Sequence, residues 1–475
     1  MKINVRVTTP PPRTHGGAIA SRVSAEDELR RSVLACMLWE DTFYESGEEI
    51  AARIERLVGQ VDQLTAAQIA VEARSVMQLR HAPLWVVRAM ARRGGRHVSR
   101  ALAEVIQRPD EIAEFLALYW KGGKTPLSAQ VKKGLAAAFK KFDEYQFAKW
   151  NRDGAVSLRD AMFLSHAKPR DGVRGFTRAS RMAAADAPAG AGHELFARIA
   201  NNALKTPDTW EVALSGGADK RAVFERLMAE GKLGGLAFVR NLRNMADAGV
   251  EKSVVRAYAE TVNLARVLPF RFVSAAAAVP KWEDICDAML LRASADRPKL
   301  PGKTVVIVDC SGSMDFGGNV SKHSDMSRLK AGGALAAILR ERCEEVSVYA
   351  TAGNDSSRRH ATVPAPPRRG LAMVDLFSGH LLRPQIGHGG IFLAQVLDWV
   401  KPREHGKADR VVVFTDEQDC DLGRSADRAD AFGNRNYIIN VSSDENGIAY
   451  KPQWTHITGF SEAVVDYIQM SERQQ

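Results

Sequence analysis

The stretch Lys303-Thr-Val-Val-Ile-Val-Asp-Cys-Ser-Gly-Ser-Met314 decides how the second part of this chain folds. Thr304 to Val308 is an uncharged, β-branched run. Such a run predicts a strand buried on both faces of a parallel sheet. It stops at Asp309, and Ser311 and Ser313 follow. One carboxylate and two hydroxyls therefore stand just past the carboxyl end of a strand, where open α/β sheets bind ligands. Oxygen donors of this kind suit a hard cation such as Mg²⁺.

Outward from that stretch, strands are predicted at 304–308, 345–350, 411–415 and 436–441, and helices at 324–343, 390–400 and 461–470. This alternation predicts a parallel sheet covered on both sides. Asn354–Arg369, rich in Ser, Pro and Arg, reads as an exposed loop. Val411-Val-Val-Phe414 is followed by Thr415 and Asp416, and Gly387-His-Gly-Gly-Ile391 precedes a helical stretch. Asp-x-Ser-x-Ser in this setting resembles the metal-ion-dependent adhesion site of von Willebrand factor A domains. The resemblance implies a Rossmann-like α/β domain with a divalent cation, Mg²⁺ first, at Asp309, Ser311, Ser313 and Asp416. In that family a threonine after the glycines also ligates the ion. Ile391 stands there and has no oxygen to offer, so a weakly occupied or dead site is the competing expectation.

At 475 residues the chain exceeds what one core holds, and two or three domains are expected. A hydrophobic content of 45% with 26% charged residues describes an ordinary globular composition. The small-apolar run Ala275 to Val279 is too short to cross a bilayer, so no membrane partner is expected. Met1 to Arg22 has no apolar core and does not read as a secretory signal. Five scattered cysteines without a Cys-x-x-Cys pair argue against a zinc site or a disulfide framework. They fit a reducing cytoplasm.

The charge is unevenly placed. Residues 1–300 hold 46 Lys+Arg against 34 Asp+Glu, whereas residues 301–475 hold 20 against 22. Lys121 to Arg181 alone carries 14 basic and 5 acidic residues. That concentration points to a polyanion partner for the first part of the chain. Solvation of helix faces by surplus arginine is the plainer alternative.

Before the strand-rich part the pattern is helical. Residues 1–20, with Pro10-Pro11-Pro12 and Gly16-Gly17, read as an extended lead-in. A capped helix follows from about Ala25, and amphipathic stretches run from Glu48 to Leu264, separated by short Gly-, Pro-, Asp- and Asn-rich turns. Their rhythm, near 40 residues per pair, suggests a HEAT-like solenoid. Residues 1–290 are thus assigned to a helical domain and 300–475 to the α/β domain, joined by the polar connector Arg292–Gly302.

Within the basic region, a helix carrying Leu158, Met162 and Phe163 ends at Leu164-Ser-His-Ala-Lys-Pro169, because a residue before proline disfavours helix. His166, Lys168 and Arg170 would cluster at that end, with Arg174 and Arg178 following. Lys132, Lys133, Lys140, Lys141 and Lys149 form basic pairs on predicted helices. In Val239-Arg-Asn-Leu-Arg-Asn-Met245, Arg240 and Arg243 are three apart, on one face of a predicted helix. Trp150 and Phe176 are candidate stacking planes, although core packing is the commoner role of such rings.

Five stretches, 164–169, Trp210-Glu-Val-Ala-Leu-Ser215, 239–245, Leu268-Pro-Phe-Arg271 and Val308-Asp-Cys-Ser-Gly-Ser313, taken in order, make the chain resemble the Ro 60 kDa autoantigen family. The resemblance covers roughly residues 15–470. It implies a TROVE module, an all-α ring of HEAT-like repeats, followed by a von Willebrand A domain. It also implies binding of small structured non-coding RNA (Y RNA) on the basic surface and of single-stranded 3′ ends of misfolded RNA. Cooperation with an exoribonuclease in RNA quality control, maturation or decay follows from the same likeness. The implied partner is RNA rather than DNA, and the chain is expected to act as a monomer. No phosphate-binding loop, nucleophile elbow or nuclease constellation is present in the sequence, so a non-enzymatic binder is expected. The alternative is a scaffold that captures a partner's carboxylate through Mg²⁺ on the α/β domain; a metal-dependent hydrolase is the weakest reading.

Overall fold

The computed structural model describes residues 13–14, 16–22, 24–35, 46–151, 154–169, 191–315, 319, 326–421, 431–441, 446–448, 453–458 and 464–473. The chain divides into two compact units. One comprises Met1–Ile50, Gly235–Arg243 and Arg256–Gln475, the other Ala51–Gly234 and Asn244–Val255.

The second unit is helical and stacks its helices in pairs. Gln63–Ser75 packs on His81–Arg93 and Val98–Val105, Val98–Val105 on Ala129–Phe139, and Ala129–Phe139 on Leu158–Ser165. The sequence explains these elements locally. In Ala129–Phe139 the buried residues are Val131, Gly134, Leu135, Ala138 and Phe139, one stripe at helical spacing. Ser128 caps its start by accepting a hydrogen bond from the Val131 N–H at 3.3 Å. Gly134 is needed because a β-carbon there would lie 2.9 Å from both the Ser99 carbonyl oxygen and the Leu102 β-carbon. Each fully buried Leu or Phe of such a stripe contributes roughly 1.5–3 kcal/mol.

The first unit is built on a six-stranded sheet. Its strands, with a two-stranded pair numbered alongside, are β1 (Ser21–Arg22), β2 (Leu300–Asp309), β3 (Cys343–Asn354), β4 (Arg359–Pro364), β5 (Ala408–Thr415), β6 (Gly433–Asn440), β7 (Asn446–Gly447) and β8 (Thr455–Thr458). The main sheet runs β4-β3-β2-β5-β6-β8 and is parallel except for the β3–β4 pair. β2 is central: Val306 pairs with Val348 on one side and Val412 on the other. Val305 to Val308 are wholly buried, as an uncharged β-branched run requires. The α/β fold class is therefore as expected, and helix-rich packing precedes it.

Several details differ from the sequence reading. Asn354–Arg369 is not a loop throughout: Arg359–Pro364 forms the antiparallel edge strand β4. Two further helices, Phe270–Ala278 and Glu283–Ala295, pack with the sheet unit; the second takes in Arg292–Ala295 and the strand β2 takes in Leu300–Gly302, so the connector read at Arg292–Gly302 shrinks to the few residues between them. The described residues of the lead-in are held as well. Thr14 donates through its hydroxyl to the Asp419 carbonyl at 2.6 Å, and β1 pairs with β7. Compactness thus groups part of residues 1–290 with the sheet, whereas the change from helices to alternating strands falls at the connector.

Candidate nucleic-acid interface and ion site

The basic face is assembled by two packed helices. Ser157 caps Leu158–Ser165 by accepting from the Asp160 N–H at 3.0 Å. The helix buries Leu158, Ala161, Met162 and Ser165 and then stops at His166. His166 adopts the left-handed conformation, φ 53° and ψ 36°, and its N–H bonds the Phe163 carbonyl at 3.2 Å. The Ala167 N–H bonds the Met162 carbonyl at 3.1 Å, closing the helix end. The main chain of His166 therefore satisfies the helix carbonyls while the imidazole stays exposed. Its Nε2 lies 3.5 Å from Lys132 Nζ on the neighbouring helix.

Lys133 and Lys140 are exposed on that same helix and its C-cap, seven residues apart, and Lys168 is exposed between buried Ala167 and Pro169. Among the described residues, none of Lys132, Lys133, Lys140 and Lys168 has a carboxylate partner. One helical unit thus carries exposed Lys133, Lys140, Lys168 and His166, with Lys132 beside the imidazole.

Two predicted residues are used otherwise. Lys141 donates to the carbonyls of Ala103 (2.8 Å) and Ile106, capping the helix Val98–Val105, and burial lowers its pKa. Lys149 lies over the Tyr145 and Trp150 rings at 5.9 and 5.8 Å. Trp150, half-buried, is covered by Arg108 at 3.7 Å, so that ring face is already stacked. Arg240 and Arg243 are exposed, but they do not share a continuous helix: Gly235–Arg240 and Leu242–Asp247 are separated at Asn241, which is buried and turns its Nδ2 onto the Ala237 carbonyl at 2.8 Å. Arg170, Arg174, Arg178 and Phe176 lie outside the described residues.

The predicted ion ligands are brought together at the carboxyl edge of β2 and β5. Asp309 and Asp416 are wholly buried. Asp309 Oδ2 accepts from the Thr415 hydroxyl at 2.7 Å and Oδ1 from the Ser311 N–H at 2.8 Å. The Ser311 and Ser313 hydroxyls are 3.3 Å apart. Burial, and then the charge of Asp416, raise the pKa of Asp309.

The donor set fits a divalent cation poorly. Ile391 not only lacks oxygen; its side chain is locked in the apolar core with Leu393, Leu397 and Val413. The buried Arg328 guanidinium, which the sequence reading missed, lies 3.8 Å from Asp416 Oδ2 and donates to the Ser313 carbonyl at 3.3 Å. Two unit charges 4 Å apart interact by about 4 kcal/mol at an effective dielectric constant near 20, and a doubly charged ion would feel more repulsion. The signal was present in Ser327-Arg328, a helix start that points an arginine back at the strand ends.

Comparison with known proteins gives three findings. The TROVE domain is matched over residues 197–298. Telomerase protein component 1 of Mus musculus is 35% identical over 94 residues, 17% of this chain and 3% of that protein. The chain thus matches only a small part of that relative's length. The crystal structure of the RO (RSR) protein of Deinococcus radiodurans has a TM-score of 0.58 at 16% identity, covering 94% of this chain and 100% of that one. At that identity the likeness is one of fold.

Proposed function

We propose, for a chain that carries a TROVE domain on a Ro-type fold and so stands with the Ro 60 kDa family, that the helical unit binds RNA. The observation that carries this reading is the Lys132–His166 pair on two packed helices that also expose further lysines. Lys132 is held 3.5 Å from the imidazole, with Lys133, Lys140 and Lys168 exposed on the same two packed helices and their ends. Cations gathered without carboxylate partners gain most from a phosphate backbone, which also releases its condensed counterions on contact. An exposed imidazole ring beside an ammonium group suits a phosphate backbone with an unstacked base nearby.

We read the partner more finely as a small structured non-coding RNA of the Y type, with a site for single-stranded 3′ ends, and the role as RNA quality control, maturation or decay beside an exoribonuclease. These finer assignments rest on the family likeness. We further read the protein as a cytoplasmic binder rather than an enzyme. The scaffold alternative gains nothing from Ile391 and Arg328, which weaken the ion it requires.

Filter binding of the full chain to a structured RNA across a salt series tests the proposal. Four phosphate contacts weaken binding on the order of a hundredfold between about 50 and about 200 mM salt. Affinity that is flat with salt, or absent, contradicts it.

A further inference from the structure

In von Willebrand A domains the ion joins three segments: the loop after the first strand, the segment carrying the threonine, and the loop carrying the late aspartate. Here those segments correspond to Asp309–Asp315, Gly387–Ile391 and Asp416–Asp421. Each is already tied to another by a buried guanidinium. Arg383, almost wholly buried, donates through Nη1 to the Cys310 carbonyl at 2.8 Å and to the Gly387 carbonyl at 3.1 Å. Its Nη2 donates to Asp315 Oδ2 at 2.8 Å. It therefore clamps the first segment to the second. Arg328, still more deeply buried, joins the Ser313 carbonyl to the Asp416 carboxylate, clamping the first segment to the third.

We infer that Arg328 and Arg383 together replace the divalent ion as the fastening of this edge of the sheet, so that the A-type domain works without bound metal. Three independent observations lead there. The oxygen donor expected at position 391 is replaced by a side chain packed in the core. The Asp309 carboxylate accepts hydrogen bonds on both oxygens from within the protein. A permanent positive charge stands beside the remaining carboxylate, where Arg, unlike a titratable donor, keeps its charge at every working pH. The A-type fold is then retained for its shape, and a partner's carboxylate cannot be captured through a metal bridge.

The test is Mn²⁺ binding followed by electron paramagnetic resonance of the free ion, on the full chain after chelator treatment and dialysis. The expected result for the wild type is no stoichiometric site tighter than about 1 mM, the weak end of protein sites for hard cations. One equivalent bound more tightly than that, and lost in Asp309→Asn, overturns the inference. The double variant Arg328→Ala, Ile391→Thr restores the missing oxygen and removes the competing charge. It is expected to gain an Asp309-dependent Mn²⁺ site at least tenfold tighter than the wild type. A folded double variant that binds no better overturns the role given to Arg328. If that variant does not fold, the wild-type titration still decides whether the edge works without metal.

Discussion

His166 shows how one residue serves two demands. A left-handed residue at a helix end is ordinarily glycine, because a β-carbon there crowds the backbone and costs roughly 1 kcal/mol. Here histidine bears that strain, and its exposed imidazole meets Lys132. His166→Gly is therefore expected to leave stability unchanged or raise it by up to about 1 kcal/mol, while RNA affinity falls. Chemical denaturation beside filter binding checks both, and a loss of stability equal to the loss of affinity would return His166 to a structural role. The motif around 164–169 was legible in the sequence; its left-handed turn was not, since no glycine marks it. Asp419 offers a second test at this scale. Burial raises its pKa to about 7, partly offset by N–H bonds from Leu393 and Asp421. The folded state thus favours the protonated acid, and the stability this gives is lost as pH rises through about 7. Between about pH 5.5 and about pH 8, the wild-type melting temperature is expected to fall relative to that of Asp419→Asn, which mimics the protonated form. Parallel curves would contradict this.

Among the elements, the turn that follows the helix Val98–Val105 is the informative one. Arg74 donates to the Val105 carbonyl at 3.0 Å and to Glu111 Oε1 at 2.6 Å, and Glu111 Oε2 accepts from the N–H groups of Gln107 (2.8 Å) and Arg108 (3.1 Å). Lys141 adds its bonds to the Ala103 and Ile106 carbonyls. Glu111→Ala leaves a buried guanidinium uncompensated and is expected to cost about 3–5 kcal/mol. Lys141→Ala is expected to cost about 1–2 kcal/mol while barely changing RNA affinity; Lys133→Ala should do the reverse. Thermal unfolding with binding assays on the two lysine variants separates cap from contact. From the sequence alone these lysines look identical, because what distinguishes them is a pair of carbonyls more than thirty residues earlier in the chain. Strand β4 was missed for a related reason. An edge strand needs only one paired side, so its run His360-Ala-Thr-Val363 sits among arginines and prolines that read as loop. Asn241 likewise breaks a helix whose periodicity runs on unbroken through 235–248.

For the whole molecule, the change from helical periodicity to alternating strands was legible because it is written in local pattern, and so was the central strand β2. How the pieces group was not. The helices Phe270–Ala278 and Glu283–Ala295 and the segment from Arg13 join the sheet unit through long-range packing that no local rule records. The charge asymmetry was legible as a number; the structure adds which cations are committed to aromatic rings or carbonyls and which remain exposed. The most direct measurement is ultraviolet crosslinking of the full chain to a structured RNA carrying a single-stranded 3′ end, with the attached peptides mapped by mass spectrometry. The predicted result is crosslinks concentrated in peptides containing Lys132, Lys133, Lys140, His166 and Lys168. Crosslinks confined to residues 300–475, or spread evenly over both units, would contradict the account.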